Sequence, residues 1–383
     1  MLAAQRRNLA ELSFRIASML PDDPKPLRPT PALSSLARQN RASRARTLAT
    51  SVGRQRRPLG AMVGTAAVAA IAFALLASRP QTLSPVDALA APITTNGLST
   101  TTAAAATTPK PAPTVQPGIL EQQRIVTMYG HPHATTMGLL GTFEDPSAAA
   151  REVKHMAAEA QAADGRPTIG ALHVIVHVAQ ATPTDDGTLL ARIGPEDLEP
   201  WVAAARDQGV LLILDTQIGW SDALTETKRL EQWLKLPFVH LALDPEFSLK
   251  RGVASHEAIG SLDGASVNAV QAYLGDLVRR EGLPRKMLML HQFVEHMLTN
   301  TTYAADPDIE IVVDFDGYGS IGAKIEGYSH YAVAPYSERP AMKLFTEHDT
   351  PMMRPNDIPR LLRERAEALN EAVPRPPDVI VYQ

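Results

Sequence analysis

The sequence contains no cysteine. Disulfides, thiolate metal ligands, a cysteine nucleophile and the lipid-modified cysteine of a bacterial lipoprotein are all excluded. Export without disulfides suits a bacterial envelope better than a small eukaryotic secreted domain. Positive charge is also scarce over most of the chain: residues 119–383 hold 23 Lys+Arg against 37 Asp+Glu, or −14. A region that acidic repels anionic polymers, so no nucleic acid partner is expected. Tryptophan is rare, and Trp201, Trp220 and Trp233 are the only three.

What is present is strongly segregated. The 383 residues suffice for one large domain plus appendages, and 45% hydrophobic with 20% charged content is ordinary for a globular protein. Residues 1–58 carry 12 Lys+Arg against 3 Asp+Glu and are rich in Arg, Pro and Ser, which reads as a basic, disordered cytoplasmic tail. Residues 59–77, "LGAMVGTAAVAAIAFALLA", form 19 uncharged positions, close to the length of a membrane-spanning helix. Arg54, Arg56 and Arg57 precede that run and a single Arg79 follows it. The bias orients the segment with its N-terminus in the cytoplasm and everything after it exported. The retained anchor predicts a single-pass membrane protein. The alternative is a cleaved signal, with "ALA" at 88–90 as the cleavage site and a secreted product. Residues 78–118 contain 7 Pro, 9 Thr and 8 Ala and read as an extended linker.

From residue 119 onward, short apolar runs alternate with amphipathic ones. The strands are "RIVTMYG" (124–130), "ALHVIVHVAQ", "VLLILDTQIGW", "VHLALDPEF", "KMLMLHQF", "IEIVVDFDGYG", "AMKLFTEHD" and "PDVIVYQ". Between them, "DPSAAAREVKHMAAEAQAADG", "GPEDLEPWVAAARDQG" and "DGASVNAVQAYLGDLVRREG" have helix start and stop residues, as Pro at the first turn or Gly just past the end. "SDALTETKRLEQWLKL" and "PNDIPRLLRERAEALNEA" supply two more helices. Eight β-then-α units in residues 119–383 predict an α/β fold, a (β/α)8 TIM-like barrel, with near-continuous apolar strands buried on both faces. The helix after strand eight is either missing from this pattern or replaced by residues near 119. A doubly wound open sheet is the alternative, but "YGHPHATTMG" after strand one is not the G-x-G-x-x-G phosphate turn that fold uses. No cofactor is called for.

In such a barrel the site lies at the C-terminal ends of the strands. Those ends carry Tyr129, His131 and His133; His177; Asp215, Gln217 and Trp220; Asp244 and Glu246; His291 and Gln292; Asp314, Asp316 and Tyr318; and Glu347, His348 and Asp349. Asp244 and Glu246 stand two apart in "LALDPEF", so both side chains leave one face of the strand, while Pro245 holds them extended. Two acids in one site push one pKa up and leave the other ionised, the division that glycoside hydrolysis needs. Glu246 is therefore the candidate acid/base and Asp244 its partner. Tyr129, His131, His177, Asp215, Gln217, Trp220, His291, Gln292, Asp314, Asp316 and Tyr318 are the candidate substrate-binding groups. The plain alternative is that Asp244 caps a turn and Glu246 pairs with Lys250 or Arg251 at the surface. Trp201 and Trp233 fall on helix faces and read as core.

The D-x-E ending strand four resembles the chitinase-like and muramidase-like glycoside hydrolase barrels. In the chitinase-like pattern D-x-x-D-x-D-x-E, the resemblance implies Glu246 as acid/base and Asp244 as the group that holds a substrate N-acetyl. The two earlier acids of that pattern fall at Ala242 and Val239, and the strand-one Asp of the muramidase-like pattern is replaced by Tyr129 and His131. "YGHPHATTMGLLG", "LDPEF", "LMLHQF", "DGYGSIGAK" and "VIVYQ" are similar to segments of a group of exported bacterial proteins, often lipoproteins. That resemblance implies an envelope location and no particular activity. His131 and His133 in "HPH" resemble the zinc-binding H-x-H of amidohydrolase barrels, which would add His291 and Glu246; the expected His on strand six and Asp on strand eight are absent. The leading expectation is a membrane-tethered, glycoside-hydrolase-like barrel acting on or binding a carbohydrate or cell-wall polymer. A non-catalytic glycan-binding barrel and a metal hydrolase built on His131 and His133 are the alternatives.

Overall fold

The computed structural model describes residues 117–383. The basic tail, the apolar run 59–77 and the linker as far as residue 116 lie outside the described residues. Among the described residues, no helix is long and apolar enough to cross a membrane.

Eight parallel strands close into a TIM-like barrel. They are β1 (Arg124–Gly130), β2 (Thr168–Ala179), β4 (Leu211–Gly219), β5 (Val239–Ser248), β7 (Lys286–Gln292), β9 (Ile309–Phe315), β10 (Arg339–Leu344) and β11 (Val379–Tyr382). Each pairs with its neighbour in that order, and β1 closes the ring by pairing with both β11 and β2. The eight apolar runs of the sequence are these eight strands. Their side chains alternate between two buried environments, as a sheet covered on both faces requires. Inward residues such as Ile125, Ala171, Ile213, Ala242, Met289, Val312, Ala341 and Val379 pack as one interior cluster. Leu120, on the short helix α1 (Ile119–Gln122), joins that cluster. Outward residues such as Val126, Leu172, Leu212, Leu241 and Leu288 meet the helices.

The helix signals in the sequence correspond to particular contacts. Helix α2 (Pro146–Asp164) starts where Asp145 accepts the Ser147 N–H at 2.9 Å, and it stops at Gly165 with φ of 75°. Helix α3 (Pro195–Gln208) begins on a proline and ends at left-handed Gly209. The stretch 221–236 is not one helix: α4 (Ala223–Arg229) and α5 (Glu231–Leu234) are separated at Leu230, which turns at φ −93°, ψ 1° and buries its side chain in the core. Helix α6 (Gly264–Glu281) is capped by Asp263 and ended by Gly282, and Trp201 and Trp233 are core residues as read.

The rhythm of eight β-then-α units is imperfect. After β7 the chain makes a 3-10 turn (Glu295–Met297) and β8 (Leu298–Thr299), which pairs with β6 (Leu262–Asp263) instead of entering a helix. Tyr303 and Tyr336 pack against the core there. Helix α7 (Ile321–Gly327) follows β9 although its Gly-rich sequence gave little helical signal, and Ser320 caps it through the Ala323 N–H. Helix α8 (Ile358–Leu369) precedes β11. A short antiparallel strand, β3 (Leu190–Arg192), hydrogen-bonds along the C-terminal half of β2. Its approach requires Gly219, at φ 58°, because a Cβ there would lie 2.4 Å from the Thr188 carbonyl.

Candidate functional site

Above the aliphatic floor, the inward-facing positions change from hydrocarbon to polar. The buried layer comprises Thr127 and Tyr129 on β1, His173 on β2, Asp215 on β4, Asp244 on β5, His291 on β7, Asp314 on β9 and Lys343 on β10. Each shares strand parity with an apolar residue of the interior cluster, such as Ala171 for His173 and Ala341 for Lys343. Alternation therefore aims them at the barrel axis.

These groups are joined to one another. Asp215 Oδ2 lies 3.0 Å from His173 Nε2 and 2.8 Å from His291 Nε2. The other ring nitrogen of His291 reaches Asp314 Oδ2 at 3.0 Å and Asp316 Oδ2 at 3.4 Å. Lys343 Nζ lies 2.9 Å from Asp316 Oδ2 and 3.8 Å from the Tyr129 ring centroid. The Tyr129 ring stands edge-on to both imidazoles, 4.9 Å from His173 and 5.9 Å from His291.

Burial alone would neutralise every carboxyl here, but the neighbours divide them into two sets. For Asp215, burial pushes the pKa up, but the charge of His291 and hydrogen bonds from both imidazoles outweigh it and hold the group well below the carboxylate range. Asp314 is likewise held low against burial, mainly by its bond to His291. His291 resists burial because Asp215 and Asp314 favour its cationic form, so its pKa rises. His173 is pushed down by burial. Asp244 and Glu246 behave in the opposite way. Burial, joined by the charges of Asp215 and Asp316, pushes Asp244 up to about 7. Burial and then Asp244 and Asp316 push Glu246 up to about 8, against the opposing pull of Lys343 and His291.

Asp244 Oδ1 accepts the Glu246 backbone N–H at 3.1 Å, bridging Pro245. The turn-capping half of the plain reading is thus present. The surface half is not: Glu246 is mostly buried, and the charges acting on it come from inside the barrel mouth.

The remaining candidates are scattered. Gln217 is buried in register with Asp244 and accepts the Ala179 N–H at 2.7 Å. His177 turns away from the axis after a register shift in β2, 3.5 Å from Glu226 on α4, and burial lowers its pKa to about 4. Gln292 has the opposite parity to His291 and accepts from the Tyr336 hydroxyl at 2.7 Å. Trp220 donates to the Val253 carbonyl at 2.7 Å beneath the loop after β5. Tyr318 is 41% exposed beside Phe345 and His348. The "HPH" stretch is a turn closed by the Ala134 N–H on the His131 carbonyl. His131 is half-buried while His133 is exposed, 3.9 Å from Asp197.

Thr127 and the two titratable residues His173 and Lys343 lie below the strand ends and escape a reading confined to those ends; the latter two carried a signal. Their signal was a charged or titratable side chain at inward parity within an apolar strand, "ALHVIV" and "AMKLF".

No family model and no curated protein matches this sequence. Among solved structures the chain is similar to an alpha-amylase from Lactobacillus plantarum, at 14% identity and a TM-score of 0.26. The match covers 66% of this chain and spans 58% of the amylase. At that level of likeness the chemistry rests on the residues of this chain alone.

Proposed function

We propose that the barrel is a hydrolase of the glycoside-hydrolase kind, with Glu246 as its general acid/base. The observation that carries this reading is the split among the mouth carboxyls. Asp244 and Glu246 hold their protons into the neutral range. Asp316, on the neighbouring loop, is an ion-paired carboxylate 2.9 Å from Lys343. Glycosidic cleavage uses one carboxyl that arrives protonated and another that faces the developing oxocarbenium charge. Glu246 gives its proton to the leaving oxygen as the glycosidic C–O bond breaks, and the charges of Lys343 and His291 stabilise its carboxylate, which then takes the proton of the water that bonds to the anomeric carbon. Asp316 supplies the fixed negative charge. Asp244, tethered to the Glu246 backbone, donates its proton to a polar substituent of the sugar. Tyr318 and His348, backed by buried Phe345, offer an aromatic rim on which a sugar ring can stack.

The substrate class we assign is an envelope or extracellular polysaccharide. The supporting features are the Arg-flanked apolar run 59–77 and the Pro/Thr/Ala-rich linker, which together suit a membrane-tethered, extracytoplasmic barrel. The test is reducing-sugar release from peptidoglycan and chitin-type oligomers by the full chain and by Glu246→Gln. Release by the wild type and a loss of about 100-fold or more in the folded variant is expected. Equal turnover by the two proteins removes the assignment of Glu246. No turnover of any glycan, with binding retained, makes the barrel a glycan-binding module instead.

A further inference from the structure

We infer that His173, Asp215 and His291 form a binding site for one divalent transition-metal ion inside the barrel, distinct from the H-x-H turn at 131–133. One donor atom from each of the three lies within 4.8 Å of the other two, and all three side chains are fully buried. They come from three separate strands, β2, β4 and β7, so the barrel itself fixes the convergence. An ion about 2.0–2.2 Å from each nitrogen and oxygen donor requires donors about 3.0–3.5 Å apart. The His173–Asp215 and His291–Asp215 edges, at 3.0 and 2.8 Å, are already near that length. The third edge, between the two imidazoles, lies within 4.8 Å, and the two rings are nearly parallel, with an interplanar angle of 22°.

Three further observations point to a cation and not merely to a hydrogen-bonded core. Each imidazole presents Nε2 to the shared Asp215 oxygen and is held from behind at Nδ1, His291 by Asp314 at 3.0 Å and His173 by Thr127 Oγ1 at 3.5 Å. Metal-ligating histidines are commonly fixed in that way, through an outer acceptor that sets tautomer and ring orientation. Secondly, Asp215 Oδ1 and Asp314 Oδ1 are buried with no hydrogen-bond partner among the described residues, although each belongs to a side chain with no solvent exposure. Such oxygens are costly to bury unless a positive charge satisfies them. Lastly, among the described residues Asp215, Asp314 and Asp316 face Lys343 and His291, while the nearby Lys324 is paired with Asp349, so carboxylates outnumber counter-charges in the interior. A divalent ion offsets that deficit. Two imidazoles and a carboxylate suit zinc and its first-row neighbours, whereas magnesium and calcium favour all-oxygen sets.

None of its ligands is Glu246 or Asp244, but His291 is shared with the glycan reading, and a bound ion would supply the positive charge near Glu246 in place of the imidazolium. The test uses the full chain, purified in detergent, stripped with a chelator and dialysed against zinc or cobalt. Wild-type protein is expected to retain about one equivalent of zinc, to unfold at a higher temperature with zinc than without, and to give cobalt d–d absorption of a low-symmetry nitrogen/oxygen site. Asp215→Asn and His173→Gln should lose that equivalent. Asp314→Asn, which changes only an outer contact, should weaken zinc about 10- to 100-fold and so reports even if the ligand variants fail to fold. His131→Ala with His133→Ala should retain the full equivalent, as should Glu246→Gln. The inference is overturned if the stripped wild type takes up neither zinc nor cobalt. It is equally overturned if the equivalent persists in folded Asp215→Asn or disappears with the 131/133 pair. The glycan assay is read separately on Glu246→Gln, so failure of one proposal leaves the other standing.

Discussion

Lys343 Nζ meets the Asp316 carboxylate 2.9 Å away at the barrel mouth, with side-chain exposures of 1% and 9%. One residue sits inside strand β10 and the other just past the end of β9, so their contact joins the barrel wall to the loop above it. The same ammonium lies over the Tyr129 ring, while Asp316 also faces His291.

Removing one partner of that pair should be far worse than removing both. Lys343→Met leaves Asp316 buried beside Asp314 and Asp244 with less counter-charge, a change that typically costs about 3–5 kcal/mol. The double variant Lys343→Met, Asp316→Asn should recover a large share of the loss. Urea denaturation of the set checks this, and additive losses in the double variant would show that the two groups do not act as a pair.

The protonation of Glu246 makes a prediction about stability and pH. Its folded pKa near 8 stands above the ordinary glutamate value of about 4.3, so between those values the folded chain keeps a proton that the unfolded chain has released. Stability is fully present below the unfolded value and falls as pH rises toward the folded one. The groups facing Glu246 are Asp244, Asp316, Lys343 and His291. Glu246→Gln removes this contribution, while Asp244, shifted in the same direction, keeps part of the slope. Thermal unfolding at about pH 5 and pH 8.5 should show the variant gaining on the wild type at the higher pH. Parallel curves would place Glu246 in an ordinary aqueous environment.

The cluster around Glu226 should behave as framework and not as part of the site. Arg192 grips this fully buried carboxylate with two bonds of 2.7 and 2.8 Å, and Ser221 adds a third at 2.6 Å. Arg192→Met should cost about 3 kcal/mol by stranding that charge, with Arg229 and His177 offering only 3.5 Å contacts in compensation. His177→Asn should leave glycan turnover unchanged. A selective fall in turnover with stability intact would return His177 to the substrate site.

The architecture was legible because a covered parallel strand needs an unbroken apolar run, and eight such runs stand in the sequence between caps such as Asp145, Gly165 and Gly282. The site was only partly legible. Asp215, His291 and Asp314 are visible as polar residues near strand ends, and Asp244 and Glu246 as a same-face pair. His173 lies deeper, and a lone histidine within an apolar strand looks like any core histidine until the opposite wall places Asp215 against it. His177 and Gln292 were misleading for a related reason. A register shift in β2 reverses the facing of the first, and the second is one residue out of phase with His291. Hydrophobic pattern carries neither a bulge nor a partner across the barrel.

A second buried ion pair supports the mouth from behind, and its removal should separate positioning from stability. Lys324 on α7 lies 3.2 Å from Asp349, and both side chains are 1% exposed. Asp349 accepts the N–H groups of Gly319 and Phe345, each at 2.9 Å, and Lys324 donates to the carbonyls of Gly317 and Lys343. The pair therefore clamps the loop that carries Asp316 to the strand end that carries Lys343. Lys324→Met should cost about 3–5 kcal/mol, because Asp349 loses its buried counter-charge while its backbone bonds remain. If the clamp also aligns Asp316 with the reacting bond, kcat should fall several-fold in the folded variant with KM little changed, since small displacements of a catalytic group act on the transition state more than on binding. Lys324→Arg should not rescue either loss, because the wider guanidinium has no room at a site closed by Phe315 and Phe345, whose ring centroids lie 5.7 and 5.0 Å from Nζ. A variant that unfolds earlier in urea yet keeps its kcat would confine the pair to a structural role.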